Sequence, residues 1–268
     1  MCASTRIAQW LGWGVVALFC LDAHAQASWS LGLAPFVQSS KWTEYNLTGA
    51  RLLTEHGTLN GLALDGAYGH GDWRIRFEGQ ASKGQRFYDG QDNFGVPVQT
   101  HVRVNLAQFL LGVDYRLADQ FRIGVDGARR MQYRELMSLP GGPLGYAEHW
   151  STDALALRAG YEWHAHGLWT VTASWALKAK SELVLLLANR DDAVLEPRRQ
   201  KIAQVALRWD ALQGPGWGLA LSGQMDWRHA DRSDVVPLTR FGALLGSAAQ
   251  PETTEQLLGV GLHATYKW

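Results

Sequence analysis

Two polar side chains near the middle of the chain have the types and spacing needed for acyl-transfer chemistry. His149 and Ser151 are two residues apart, so on a β-strand they share one face. A serine hydroxyl becomes a nucleophile when a histidine accepts its proton, and a carboxylate that orients the histidine completes a triad. If Arg134 to Ser151 closes as a hairpin, Glu135 lies nearly opposite Ser151 on the same outward face. We take His149, Ser151 and Glu135 as candidate catalytic residues.

The His149-Trp150-Ser151 segment resembles the H-x-S arrangement of outer-membrane phospholipase and lipid A deacylase barrels. This resemblance implies a Ser/His acyl hydrolase that acts on membrane lipid from the side of a barrel. The sequence departs from the pattern because no Asn follows Ser151. The structural alternative is a polar rim in which Trp150 anchors the chain at the lipid headgroups.

A second group of candidate residues consists of charged side chains that alternate with apolar side chains along the sequence. An Arg or Lys facing lipid costs roughly 2–4 kcal/mol at the bilayer midplane, so we expect these charges to face a lumen and to pair there. The predicted lumen network is Arg74, Arg76, Glu78, Asp114, Arg116, Arg122, Asp126, Arg158, Glu162, Arg208, Asp210, Asp226 and Arg228.

The elements that carry these residues read as β-strands. Trp73, Ile75 and Phe77 alternate with charged residues, and about ten segments repeat this period of two. No apolar run of helical spanning length follows residue 25. The sequence therefore predicts an all-β fold, a transmembrane antiparallel up-and-down β-barrel of about 10 strands.

Two details of the strands are also predicted. Val102 to Leu106 runs in the opposite phase to Phe109 to Leu117, which favours a bulge near Ala107 and Gln108. Short turns alternate with long polar segments, the first of them following the first strand. This alternation predicts that both termini lie in the periplasm.

The last strand, Leu257 to Trp268, ends on an aromatic residue with Tyr266 two positions earlier. It resembles the carboxy-terminal strand of bacterial outer-membrane barrels, which implies the barrel-assembly machinery as a partner through Tyr266 and Trp268. Other tryptophans are expected to form girdles at the two membrane interfaces, with Trp42 and Trp150 at the outer rim.

Residues 1–25 have the pattern of a cleaved signal peptide. Arg6 precedes an apolar region, and Ala23-His24-Ala25 matches an A-x-A cleavage site. We expect the barrel domain to span residues 26–268 in the outer membrane of a Gram-negative bacterium. Both cysteines, Cys2 and Cys20, lie in the segment that would be removed.

The ten-strand plan is similar to that of omptins, a family of outer-membrane proteases. The resemblance implies an Asp pair and an Asp-His pair at the barrel mouth, and the carboxylates available at strand tops are Asp89, Asp92, Asp191, Asp192 and, beside His229, Asp231. Their order differs from the omptin pattern, and the fourth outer loop, Ala188 to Gln200, has no His. We therefore expect this chain to share the ten-strand plan of omptins, and we keep proteolytic activity only as an alternative.

The partners follow from charge and from motifs. With 25 basic and 25 acidic residues no nucleic acid is expected, and no metal or cofactor motif is present. Arg190, Arg198 and Arg199 are candidates to contact lipopolysaccharide phosphates, with outer-membrane lipid as the wider partner.

The leading interpretation is a non-catalytic surface, accessory or envelope-maintenance barrel. A membrane-lipid hydrolase, an omptin-like protease and a narrow channel are the alternatives.

Overall fold

The structure is a computed structural model that describes residues 27–91, 95–139, 145–187 and 190–268. The predicted signal peptide and the predicted loop carboxylate Asp92 lie outside the described residues. In the described ranges, no helix is long and apolar enough to cross a membrane.

Ten long antiparallel strands form the wall of a closed barrel. They are β1 (Ser28–Tyr45), β2 (Arg51–His70), β3 (Trp73–Gln91), β4 (Pro97–Ala118), β5 (Phe121–Leu136), β6 (Ala147–His164), β7 (Leu168–Leu186), β9 (Gln200–Gly214), β10 (Trp217–Ala230) and β13 (Glu252–Lys267). Among the described residues, the connections contain three short strands: β8 (Ala193–Leu195), β11 (Val236–Arg240) and β12 (Ala243–Ala248). The predicted fold class and strand number are confirmed.

The first and last strands close the wall. Ser30 lies opposite Lys267 in the β1–β13 register. Trp29 and Trp268 exchange two backbone hydrogen bonds of 3.1 and 3.2 Å. We call the end that holds the start of β1, the end of β13 and the two- or three-residue turns the turn end, and the opposite end the loop end.

The wall strands are longer than a membrane requires. They have 14 to 22 residues, whereas a tilted spanning strand needs about 9–11. At about 3.3 Å per residue and a tilt near 45°, β4 rises roughly 50 Å, about twice the apolar band of such barrels. A large part of the wall therefore projects beyond the lipid.

The outward face shows where the lipid ends. On β4, Phe109, Leu111 and Val113 are exposed on the turn-end half, whereas His101, Arg103 and Asn105 occupy the same outward face nearer the loop end. The change recurs around the wall, and it places the apolar band in the turn-end half of the barrel.

The predicted bulge at Ala107 and Gln108 is wrong. The β4–β5 register runs through both residues without a shift, and Val102, Val104 and Leu106 point into the lumen, with at most 3% of their surface exposed. The apparent change of phase has another cause. Beyond the lipid band the outside of the wall is wet, so apolar side chains are buried inside instead.

The predicted long segment after the first strand is also wrong. β1 and β2 are joined by a five-residue turn, residues 46–50, in which the side-chain oxygen of Asn46 accepts hydrogen bonds from the backbone amides of Thr48 and Ala50, both 2.9 Å. Gly49 has a φ of 79°, a backbone conformation that glycine adopts without strain. The polar residues assigned to a loop instead extend the two strands.

Candidate functional site

A cavity of about 320 Å³ occupies the turn-end half of the lumen, and we call it the turn-end chamber. Its wall extends from Gln108 and Gln224 to Lys267, which is exposed at the turn end. Five cationic and four acidic side chains line it: Arg74, Arg76, Arg158, Arg208, Lys267, Asp65, Glu78, Glu162 and Asp210. The side chain of Asp65 keeps 28% of its surface exposed, so the chamber admits water.

Three side chains from three strands form a hydrogen-bonded relay in the turn-end chamber. The Oγ of Ser222 on β10 lies 2.7 Å from Nε2 of His263 on β13. The Nδ1 of the same imidazole lies 3.3 Å from Oδ1 of Asp65 on β2. Because a carboxylate only accepts hydrogen bonds, Nδ1 carries the proton that faces Asp65. In the neutral form of the imidazole, Nε2 then accepts the Ser222 hydroxyl.

Two inward glycines clear the space that the relay occupies. Gly32 on β1 lies opposite Asp65, and a Cβ there would come within 2.6 Å of the Asp65 carboxylate. The missing side chain lets Asp65 reach across β1 to His263. A Cβ at Gly261 would come within 3.1 Å of the Ser222 Oγ.

The predicted lumen residues beside the chamber form a dense charge network. Arg76 contacts Asp114 at 2.8 Å, Asp126 at 2.6 Å and Glu78 at 2.7 Å, and Arg74 contacts Asp114 at 2.9 Å. Further ion pairs are Arg74–Glu162, Arg122–Glu162 and Arg158–Glu78 at 3.6 Å each, and Arg208–Asp210 at 3.0 Å.

Three predicted lumen residues lie outside this network. Asp226 is buried and accepts a hydrogen bond from Gln224 at 3.3 Å, and Arg228 donates to Gln108 at 3.0 Å. Arg116 is exposed at the turn end of β4, so it lies at the mouth of the barrel rather than inside it.

Toward the loop end, buried charges fill the lumen. Arg86 lies 2.7 Å from Glu255 and 3.5 Å from Glu55, and Arg130 lies 2.6 Å from Glu255. Arg134 pairs with Glu55 and Glu148 and lies 3.9 Å from Glu44. We call these seven residues the loop-end charge cluster: Glu44, Glu55, Arg86, Arg130, Arg134, Glu148 and Glu255.

Two tryptophans pack against the loop-end charge cluster. Trp42 and Trp150, which the sequence placed at the outer rim, instead lie in the lumen with 4% and 6% of their surface exposed. Their indole nitrogens donate to Glu44 and Glu148 at 2.9 Å, and the Arg134 guanidinium lies 4.5 Å from the Trp42 ring. Alternation explains the error, since Trp150 lies between two outward residues.

The candidate hydrolase residues are not brought together as a triad. His149 and Ser151 lie on the outward face, as predicted, but Ser151 is opposite Met131, whereas Glu135 is opposite Ala147. The carboxylate of Glu135 lies 2.7 Å from Arg103 on β4. The expectation that Glu135 faces Ser151 is wrong because the β5–β6 register is offset from the assumed hairpin.

The loop-end residues singled out in the sequence have separate contacts. Arg198 pairs with Asp234, and Arg190 and Arg199 are exposed. The Asp191 carboxylate accepts from the Thr239 hydroxyl at 2.6 Å and from the Gly242 amide at 3.0 Å.

The carboxylates that the omptin resemblance singled out at the strand tops also lie apart from one another. His229 Nε2 lies 3.2 Å from Asp231. Asp89 accepts from Gln99 at 3.4 Å. Within the described ranges, no group of three or more His, Cys, Asp or Glu residues could hold a metal ion.

The sequence alone did not bring Ser222, His263 and Asp65 together. Asp65 and His263 are 198 residues apart in the chain, and they meet only because β1 joins β2 to β13. An inward Gly directly opposite an inward Asp, as in Gly32 and Asp65, is the signal that would have pointed to this place.

The sequence matches no protein-family model, and no curated protein matches it significantly. The structure is similar to the outer membrane protease OmpT from Escherichia coli, with a TM-score of 0.57, 12% identity and coverage of 90% of this chain and 96% of that one. More distant structures include neisserial surface protein A (TM-score 0.37, 8% identity, 87% and 95% coverage) and the Pseudomonas putida toluene transporter TodX (TM-score 0.35, 12% identity, 92% and 91% coverage). The chain therefore has the fold of a bacterial outer-membrane β-barrel, with a ten-strand plan similar to that of an omptin.

Proposed function

We propose that this protein is a non-conducting barrel of the bacterial outer membrane that serves envelope maintenance. In this proposal the termini and the turn end face the periplasm, and the turn-end chamber receives small ligands from that side. The short turns at that end support the orientation, because bacterial barrels keep their short turns in the periplasm.

The loop-end charge cluster carries the proposal. Three arginines and four glutamates span the lumen, and Arg86 and Glu55 are completely buried. One cavity of about 40 Å³ lies beside this cluster, and another of about 40 Å³ lies between it and the turn-end chamber. Each has room for very few water molecules. A path for hydrated ions would require these buried pairs to separate, which costs several kcal/mol per unpaired charge.

Planar-bilayer recordings test the seal. The purified wild-type protein should give no steady conductance. The double variant Arg86→Ala with Arg134→Ala should conduct ions measurably, because it removes two side chains of the loop-end charge cluster. Arg103→Ala on the outer wall is the matched control and should stay closed. A steady ion conductance of the wild-type protein would instead support the narrow-channel alternative.

Outer-membrane lipid, including lipopolysaccharide, is the partner we propose. Basic side chains lie on the outward face where it becomes polar: Lys41, Lys83, Arg103, Arg129, Lys180 and Lys201. Arg103, Arg129 and Lys180 pair with carboxylates on the same outer surface. The positive charge proposed to meet anionic phosphates of an outer leaflet therefore comes mainly from Lys41, Lys83 and Lys201. Neutralising Lys41, Lys83 and Lys201 together should weaken co-purification of lipopolysaccharide, whereas Lys267→Ala at the turn end should not.

The lipid-hydrolase alternative stays a prediction. The β5–β6 register does not place Glu135 opposite Ser151, and Glu135 pairs with Arg103. Acyl release from phospholipid or lipopolysaccharide in micelles tests it, and the activity should be lost on Ser151→Ala if the site exists. A proteolysis assay with basic peptides tests the omptin-like alternative in the same way, with His229→Ala as the informative variant.

A further inference from the structure

We propose that Ser222, His263 and Asp65 form a hydrolytic site in the turn-end chamber that cleaves small, negatively charged carboxylic esters. The inference rests on the proposed function only in taking the chamber as open at the turn end. Ser222 and His263 are the catalytic residues, and Asp65 is a positioning residue.

The order of contacts is that of a nucleophile, a base and an orienting carboxylate. Each imidazole nitrogen of His263 has one partner, Ser222 at 2.7 Å and Asp65 at 3.3 Å. The side chains are partly open to the chamber, since His263 keeps 16% of its surface exposed. A serine held against Nε2, with a carboxylate at Nδ1, is the arrangement in which the histidine can take the hydroxyl proton.

The relay differs from the charge network around it. Asp114 and Asp126 also lie opposite inward glycines, Gly124 and Gly112, but their carboxylates meet Arg76. The Asp65 carboxylate lies 4.0 Å from Arg208 but 3.3 Å from His263, whose second ring nitrogen contacts a hydroxyl. A purely structural network needs no nucleophile at that position.

A cation lies beside the candidate nucleophile. Arg208 on β9 is directly opposite Ser222 in the register, which places their Cβ atoms about 5 Å apart. Its guanidinium also lies 4.0 Å from Asp65. The guanidinium pairs with Asp210 at 3.0 Å. In this proposal it turns from Asp210 toward the substrate and stabilises the oxyanion that forms when an ester carbonyl is attacked.

The reaction balances with water as the only co-reactant. The Ser222 Oγ bonds to the ester carbonyl carbon while its proton moves to His263 Nε2. The bond from carbonyl carbon to alcohol oxygen then breaks, and the alcohol leaves with that proton. Water attacks the acyl-serine, His263 accepts one of the water protons, and the carboxylic acid leaves as Ser222 regains its hydrogen.

The chamber restricts the substrate. Its volume of about 320 Å³ suits a small ester rather than a two-chain lipid. Arg74 and Arg158 deeper in the chamber are paired with carboxylates. Lys267 at the mouth is the cation placed to favour a substrate that carries a negative charge.

Covalent labelling of the full-length protein in detergent micelles tests the site. The probe is diisopropyl fluorophosphate, and intact-protein mass spectrometry gives the rate of adduct formation. We expect one adduct on the wild-type protein, none on Ser222→Ala, and a rate at least about 100-fold lower on His263→Gln, the size of a general-base contribution. Ser174→Ala, a lumen serine outside the chamber, is the matched control and should label as the wild type does.

Substrate turnover and pH profiles complete the test. Hydrolysis of the para-nitrophenyl monoester of succinate should exceed that of neutral para-nitrophenyl acetate, and Lys267→Ala should remove this preference. Asp65→Asn should slow labelling and change its pH profile. Heat-dependent gel mobility shows that each variant is folded.

Two outcomes would overturn the inference: no adduct on the folded wild-type protein, or an adduct that survives Ser222→Ala. Neither affects the conductance result, so failure of the hydrolytic site and failure of the sealed-barrel proposal are separately visible.

Discussion

At the scale of single residues, an aspartate opposite an inward glycine recurs in this lumen. The pairs are Gly32 with Asp65, Gly112 with Asp126 and Gly124 with Asp114. In each, a Cβ on the glycine would come within 2.6 Å of a carboxylate oxygen. The glycine gives the short aspartate side chain room to cross its neighbour strand, so these glycines shape the network without contacting it.

Gly32→Ala should therefore disturb the relay without unfolding the barrel. The new Cβ meets the movable end of the Asp65 side chain rather than backbone, so the carboxylate should swing away from His263 Nδ1. We expect the labelling rate of Ser222 to fall by about 10-fold or more, the cost of losing roughly one well-placed hydrogen bond. Gly160→Ala is the matched inward control, because its Cβ would meet nothing closer than 3.6 Å. An unchanged rate on Gly32→Ala would show that Asp65 does not orient His263.

Arg86→Ala should strongly destabilise the folded barrel. The completely buried guanidinium pairs with Glu255 and Glu55, and its loss leaves two buried carboxylates with fewer partners. Breaking such a buried pair costs about 3–5 kcal/mol, measurable as the free energy of unfolding in urea with lipid vesicles. Arg103→Ala, which removes an exposed ion pair with Glu135, should cost less than about 1 kcal/mol. Equal losses for both variants would contradict the role of the loop-end charge cluster.

At the scale of elements, alternation predicted the ten strands correctly in the lipid band, where one face is oily and the other polar. It failed beyond the band. Val102 and Val104 face inward there and Arg103 faces outward, so the same pattern carries the opposite meaning. The sequence could not show where the lipid ends on each strand, because that height depends on the register of all ten. For this reason the sequence did not predict where the strands end, the short first turn or the loop-end charge cluster.

The Asp191 carboxylate accepts three hydrogen bonds from the β11–β12 hairpin, so we expect part of the attachment of this hairpin to depend on pH. Hydrogen bonds from the Thr239 hydroxyl and from the Gly242 and Phe241 amides hold the pKa of Asp191 below its usual value. A lowered folded pKa means that the stabilisation is present above the ordinary Asp pKa, about 3.9, and is lost as the pH falls through the folded pKa.

Hydrogen exchange at the Phe241 and Gly242 amides measures this effect. We expect protection at neutral pH and its loss in acid below the ordinary Asp range, after correction for intrinsic exchange. Asp191→Asn should reduce protection at neutral pH, whereas Asp192→Asn should not. Protection that stays constant through acid pH would show that backbone pairing of β11 with β12 suffices.

At the scale of the whole molecule, the barrel has two unlike ends. The loop end is closed by buried ion pairs and tryptophans, and the turn end holds a water-accessible chamber with a Ser–His–Asp relay. In the sealed-barrel proposal, a solute enters at the turn end without passing through the barrel. The side of the membrane that the chamber faces therefore decides which solutes can reach it.

Single-cysteine reporters measure that side directly. Both native cysteines lie within residues 1–25, so removal of a signal peptide would leave a cysteine-free background. Leu47→Cys lies at the exposed β1–β2 turn, with 81% of the side chain open, and Lys267→Cys lies at the chamber mouth. A maleimide carried on a large polymer should modify Leu47→Cys on intact cells and Lys267→Cys only after the outer membrane is permeabilised. Modification of Lys267→Cys on intact cells would place the chamber at the cell surface and contradict the account.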